Sequence, residues 1–232
     1  MRKFTMLIIA VLFANMTFAQ ITSTTAGGDW NKTSTWIGGV LPTANDDVII
    51  DGTVYHNNKS DECQNITINS GKTLTSKTSG WPLNVWGDLI NNGNLQNNDN
   101  FWLQITAHKN ITNNGVWTSY GISLSGDSDQ TIVGTKPFAV YFIMTQKDNS
   151  IIAGSDLSFL GTSLLFYKNN EFVIESGKTV SFSFSDAQVR GEFMPPTNMA
   201  TNVQFTGGGT VCVKGKYNVD ECKFEGITLT KE

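Results

Sequence analysis

Histidine and arginine occur twice each in this 232-residue chain, cysteine three times and proline five times. Charged residues make up 16% of the sequence, with no run of Lys or Arg. Each shortage removes a class of function. Without a basic stripe, nucleic acid and anionic membrane surfaces are poor partners. His56 and His108 stand apart among polar neighbours, which predicts two solvated surface side chains rather than a catalytic or metal-bound pair. No serine sits in a G-x-S-x-G elbow, no glycine loop leads into a helical pattern, and no C-x-x-C pair exists. The acids cluster only as Asp46-Asp47, Asp61-Glu62, Asp127 with Asp129, and Asp220-Glu221. No repeat register brings two of these clusters together, as calcium binding or paired-carboxylate hydrolysis needs. Asp46-Asp47 read as a cap on an entry turn, and Asp127 with Asp129 as at most a weak calcium site. The expectation is a protein with no catalytic residues, no resident metal and no cofactor.

Long hydrophobic runs are missing too, except at the start. Met1-Arg2-Lys3 precedes the apolar stretch from Phe4 to Ala14, and Thr17-Phe18-Ala19 offers a small-x-small cleavage site before Gln20. This is the pattern of a secretory signal peptide over residues 1–19. Nothing later approaches the ~20 apolar residues of a membrane-spanning helix, so direct membrane insertion is not expected. Cleavage would remove Arg2 and Lys3 and no acid, leaving 14 basic against 20 acidic residues, a charge of −6. Secretion or display at the cell surface through the Sec pathway follows. In that setting Cys212 and Cys222, ten residues apart, offer a disulfide closing a hairpin; the competing reading makes Cys63, Cys212 and Cys222 small apolar fillers.

What is abundant is Asn, Thr, Ser and Gly, and it recurs. Asn69-Ser70-Gly71, Asn91-Asn92-Gly93 and Asn113-Asn114-Gly115 follow one another at a step of 22 residues. Asp88 to Leu95 overlies Asn110 to Trp117 residue by residue, whereas the apolar positions around the first copy sit one residue off. A short β-type run, a turn expected to need positive φ, and another β-type run read as successive coils of a β-solenoid. Ile66 and Ile68 alternate with polar residues, as do Val180, Phe182 and Phe184, and Phe138 to Thr145 is a continuous apolar strand. Ser176-Gly177-Lys178-Thr179 restates Ser70 to Thr73, and Pro195-Pro196 and Gly207-Gly208-Gly209 mark loops. Asp220-Glu221-Cys222, then Ile227-Thr228-Leu229, echo Asp61-Glu62-Cys63 and Ile66-Thr67-Ile68. No amphipathic helix of useful length is visible.

Residues 20–47 differ from the rest, dense in turn formers and holding Trp30 and Trp36. A solenoid end exposes an apolar stack, and these indoles are suited to plug it. The run Gly27-Gly28-Asp29-Trp30-Asn31, followed by Thr35-Trp36-Ile37-Gly38-Gly39-Val40-Leu41-Pro42-Thr43-Ala44-Asn45-Asp46-Asp47-Val48, resembles the opening of secreted Bacteroidetes-type β-helix proteins with a G8-like N-terminal segment. Cys63 to Thr75 and Gln130 to Gly134 share that resemblance. It implies a short right-handed parallel β-helix of the all-β class, with a cap over residues 20–47 and the solenoid over 48–232. It also implies an adhesin-like protein, and its motifs specify architecture rather than activity.

The binding candidates are the indoles. Trp81, Trp86 and Trp102 fall among coils rich in amide side chains, a combination suited to sugar stacking. Trp117 aligns with Leu95 and is expected inside. The function expected is therefore an exported, non-catalytic surface or structural protein meeting a glycan or a cell-envelope protein through solenoid faces. Two alternatives remain: an accessory subunit of an outer-membrane complex docked at the C-terminal solenoid edge, and a polysaccharide-active enzyme.

Overall fold

The computed structural model describes residues 19–78, 80–166, 170–183, 199–215 and 218–232, with the backbone alone for 199–202. The expected signal peptide falls outside these residues apart from Ala19, as do Phe184, Arg190 and Pro195-Pro196. The described chain is a parallel β-solenoid of about eight turns. Each full coil visits three sheets. The first carries Ala19–Thr22, Asp46–Ile50, Ile66–Ile68, Leu89–Asn91, Ile111–Asn113 and Gln130–Gly134 in parallel succession. The second carries Thr53–His56, Thr73–Ser76, Asn94–Gln96 and, further on, Leu157–Leu160, Thr179–Ser183, Thr210–Lys214 and Thr228–Lys231. Glu62–Cys63, Leu83–Val85 and Gln104–Ala107 begin the third. Val116–Leu124 and Phe138–Thr145 are long because each bends from the second sheet into the third without a break.

Alternation along these strands builds the interior. Val48, Ile66, Leu89, Ile111 and Ile132 stack as one inward ladder. Val54, Leu74, Leu95, Trp117, Phe138, Phe159 and Phe182 form the second. Leu83, Ile105, Ile122, Ile143 and Leu164 form the third. All are 2% exposed or less, and each full burial contributes about 1.5–3 kcal/mol. Trp117 is inside, its Nε1–H donating to Ser119 Oγ at 2.9 Å.

Both tryptophans of the N-terminal segment are buried. Trp30 and Trp36 meet edge to face at 5.1 Å, both are 2% exposed, and Trp36 Nε1–H donates to the Trp30 carbonyl at 2.8 Å. The same segment also supplies Ala19–Thr22 and Gly28–Asp29, so the stacked strands begin within it. A single 3-10 turn, Thr33–Thr35, is the only helical element among the described residues.

The recurring glycines are explained differently from the sequence expectation. Gly71 has φ +73° and Gly177 φ +82°, and in both S-G-K-T turns the lysine N–H closes onto a carbonyl three residues back at 3.0 Å. Gly93 and Gly115, by contrast, do not have positive φ. They are glycine because coils touch there: a Cβ on Gly93 would lie 2.3 Å from the Asn69 carbonyl oxygen, and one on Gly115 2.1 Å from that of Gly93. The first copy has the looser corner. Ile66 pairs with Leu89, 23 residues on, and Leu74 with Leu95, 21 residues on, so the first turn is two residues longer, one on each side of its glycine.

Side-chain amides finish the corners. Asn91 and Asn113 point inward and are fully buried. Asn91 Nδ2 donates to Asn113 Oδ1 (2.9 Å) and the Val116 carbonyl (2.8 Å), while its Oδ1 accepts the Gly93 N–H. A second ladder runs outside: Asn65 Nδ2 donates to Asp47 Oδ1, and Asp88, Asn110 and Thr131 N–H groups donate to the side chains of Asn65, Asp88 and Asn110. Asp46 Oδ2 accepts the Thr43 N–H and hydroxyl, the cap read from the sequence.

Two expectations near the C-terminus are corrected. Cys212 and Cys222 are not joined, since Thr210–Lys214 pairs in parallel with Thr179–Ser183 and Thr228–Lys231 rather than forming a hairpin with Asn218–Phe224. Cys63 is an apolar filler of the core, Cys212 lies on the outward side of its strand between the inward Val211 and Val213, and burial pushes the Cys222 thiol up to about 11. The late Asp-Glu-Cys echo does return to the third sheet, where Glu221 pairs with Thr201. Leu229, however, falls on the second sheet opposite Val211, whereas Ile66 and Ile68 lie on the first.

Candidate functional site

The outer face of the third sheet concentrates the exposed aromatic side chains. In Leu83–Val85 the ends point inward, so Asn84 and Trp86 point out. Val85 pairs with Ala107, which sets Trp86 beside His108 of the next coil. Their rings stack at 4.1 Å and 17°, and Trp86 Nε1–H donates to Glu62 Oε2 at 3.0 Å. The indole remains 41% exposed. His108 is therefore not a free surface side chain. Its Nδ1 faces the Ser125 carbonyl at 3.2 Å, which can only accept, so this nitrogen carries a proton. Burial lowers the His108 pKa, Lys147 adds to the shift, and the Ser125 carbonyl and Asp127 oppose it.

Trp81 lies at the entrance to the same strand, between Gly80 and Pro82, and is 51% exposed. The Lys59 ammonium stands 5.9 Å from its ring centre. Trp86 lies five positions after Trp81, about 16 Å of extended chain. Trp102 is elsewhere, at the corner where the chain turns from the second sheet into the third. It stacks on Tyr120 at 4.8 Å, and Tyr120 stacks on Tyr141 at 5.4 Å. Trp81 and Trp86 thus flank one strand, while Trp102 heads an aromatic column that uses its ring face within the protein.

His56 corrects the sequence reading most sharply, since it is fully buried. It shares the inward side of Thr53–His56 with Val54, and the turn from Asn57 to Asp61 folds back over it. Nδ1 lies 2.9 Å from Asp61 Oδ2, and Nε2 lies 2.8 Å from the Trp81 carbonyl oxygen. The signal was present as Val54-x-His56 in β alternation followed by an Asn-Asn turn and an acid, but alternation alone does not say what meets a buried ring.

Asp127 pairs with the Lys147 ammonium, and Asp129 Oδ1 accepts the Ser150 N–H at 3.0 Å. Among the described residues no three His, Cys, Asp or Glu side chains converge in a metal-holding group. A shallow groove follows the glycine corner past Gly93, Gly115, Val116, Pro137 and Leu160, with Lys136 its one charged lining residue. Comparison of the chain with family models, with curated proteins and with solved structures returned no match.

Proposed function

We propose that this chain is an exported, non-catalytic surface or structural protein that binds a glycan through the third sheet of its solenoid. The observation that carries the reading is that two exposed indoles, Trp81 and Trp86, flank the strand Leu83–Val85. Indole surfaces beside amide and carboxylate groups suit the apolar faces and hydroxyl edges of sugar rings. Asn84 and Glu62 lie next to Trp86 and supply that polar complement. The N-terminal charge-apolar-small pattern supports export, and the resemblance to Bacteroidetes-type β-helix proteins with a G8-like opening supports an adhesin-like role.

The test is a glycan array with the chain lacking residues 1–19, followed by calorimetry on any ligand retained. Trp81→Ala and Trp86→Ala should each weaken binding about tenfold, the worth of one aromatic contact. An array with no retained glycan, or a double variant with unchanged affinity, overturns the reading.

A second reading, an accessory subunit of a cell-envelope complex, is favoured by the strand Thr228–Lys231. All four of its residues are exposed, Leu229 at 37%, and among the described residues it pairs only with Thr210–Lys214. A crosslinked pull-down from the envelope yielding one stoichiometric protein would support it. Amide protection of Leu229 in the isolated monomer would count against it.

A further inference from the structure

We infer that His56 is a buried, doubly protonated imidazolium that pins the backbone of Trp81, so that loss of one proton releases the exposed indole. The inference rests on the glycan-binding reading only for its consequence; the brace itself stands on hydrogen-bond geometry. Both ring nitrogens of His56 face oxygens that can only accept: Asp61 Oδ2 at 2.9 Å and the Trp81 carbonyl at 2.8 Å. Turning the ring over would set carbons against both. A neutral imidazole has one N–H, so either neutral tautomer would press a lone pair against a carboxylate or a carbonyl. Moving the proton to Asp61 does not resolve this. Asp61 Oδ2 already accepts the N–H groups of Asn57 (2.9 Å) and Asn58 (3.0 Å), and those two bonds match a carboxylate oxygen.

The surroundings fit a compensated buried pair. His56 is 0% and Asp61 2% exposed, so the opposite charge and full hydrogen bonding are what make burial of the ring tolerable. Ser76, its register partner on the next coil, is uncharged. The Cys63 thiol is driven far up by burial and stays neutral. Glu62 is turned outward to Trp86 Nε1, and Lys77 is held outside by Asp29 at 2.5 Å. Lys59 stands over the Trp81 ring on the solvent side. Asp61 is thus the charged group that His56 meets, and the Trp81 carbonyl depends on the second ring proton. Removing that proton sets lone pair against lone pair at Nε2, and the Gly80-Trp81-Pro82 segment must shift. His56 is a positioning residue for the indole, with no contact to the ligand.

The test uses chain labelled with 15N in histidine and tryptophan, read by NMR without ligand. At pH 6 both His56 ring nitrogens should show a one-bond coupling to hydrogen. Raising the pH until one coupling disappears should move the Trp81 indole N–H resonance, identified by its loss in Trp81→Phe, and leave that of Trp86 in place. In His56→Gln, Trp81 should be insensitive to pH. A His56 nitrogen without a proton at pH 6 overturns the brace. A ring that keeps both protons at every pH where the chain stays folded, or a Trp81 signal unmoved when the proton is lost, overturns the release. No sugar enters these measurements, so a brace confirmed in a chain that retains no glycan would leave this inference standing and remove the binding role. pH-independent Trp81 in a chain that binds glycan would do the reverse.

Discussion

Asn91 reaches from one coil to the next and donates its side-chain amide to Asn113 Oδ1 at 2.9 Å, deep inside a stack of Leu, Ile and Phe. The bond is one of three the Asn91 side chain makes, so truncation leaves the Gly93 N–H, the Val116 carbonyl and Asn113 short of a partner. Asn91→Ala should lower the unfolding free energy by about 3 kcal/mol, the cost of orphaned buried polar groups. Asn92→Ala, at the exposed neighbour, should stay within about 0.5 kcal/mol. Urea unfolding of the two variants separates an interior ladder from a merely polar turn.

The two kinds of glycine should answer differently to substitution. A side chain on Gly71 meets nothing within 4 Å, so Gly71→Ala bears only the positive-φ strain, about 1–2 kcal/mol, and Gly71→Asn less. Gly115→Ala drives its Cβ into the backbone of the preceding coil and should cost more than either, with no relief from Asn. Equal losses at the two positions would mean that the coils are not in contact at Gly115.

At the N-terminal end, Trp36→Ala should cost about 3–5 kcal/mol as a large buried aromatic. The damage should be local, since each coil leans on its neighbours. Hydrogen exchange should quicken first in Ala19–Thr22 and Asp46–Ile50, leaving Phe138–Thr145 protected. Uniform loss of protection would contradict a nearest-neighbour stack.

Thiol chemistry reports burial. The thiolate is the reactive species, and with the Cys222 pKa raised to about 11, its alkylation at pH 8 should run on the order of a hundredfold slower than for an unfolded cysteine. Cys63, higher still, should react only on unfolding. All three cysteines should alkylate in denaturant without a reductant. A requirement for reductant would reveal a disulfide.

Acid should loosen the Trp86 platform. His108 has its pKa lowered by burial, so the unfolded chain takes up this proton more readily than the folded one. Its contribution to stability is complete above the ordinary histidine value and is lost as the pH falls through the lower folded value. Unfolding free energy measured from pH 7.5 to 4.5 should fall less steeply in His108→Leu than in the parent chain. Identical slopes would place the imidazole in solvent.

Sequence alone determined the fold through repetition. A 22-residue recurrence of β-forming runs and turns fixes a coil length, alternation fixes which side chains enter, and two tryptophans outside the repeat mark a plug. Leu95 under Trp117 was legible because stacked coils place equivalent positions on one another. Tertiary structure decided whatever depends on contacts between coils. Gly93 and Gly115 look like positive-φ glycines until the coil beneath each is in place, and Cys212 and Cys222 look like a hairpin pair until their strands join different sheets. Trp102 and Trp86 read alike in sequence, yet one stacks in a tyrosine column and the other lies open above His108. His56 differs most from its sequence reading, because the partners of its ring nitrogens, Asp61 and the Trp81 carbonyl, lie 5 and 25 residues away and converge only when the turn folds back over it.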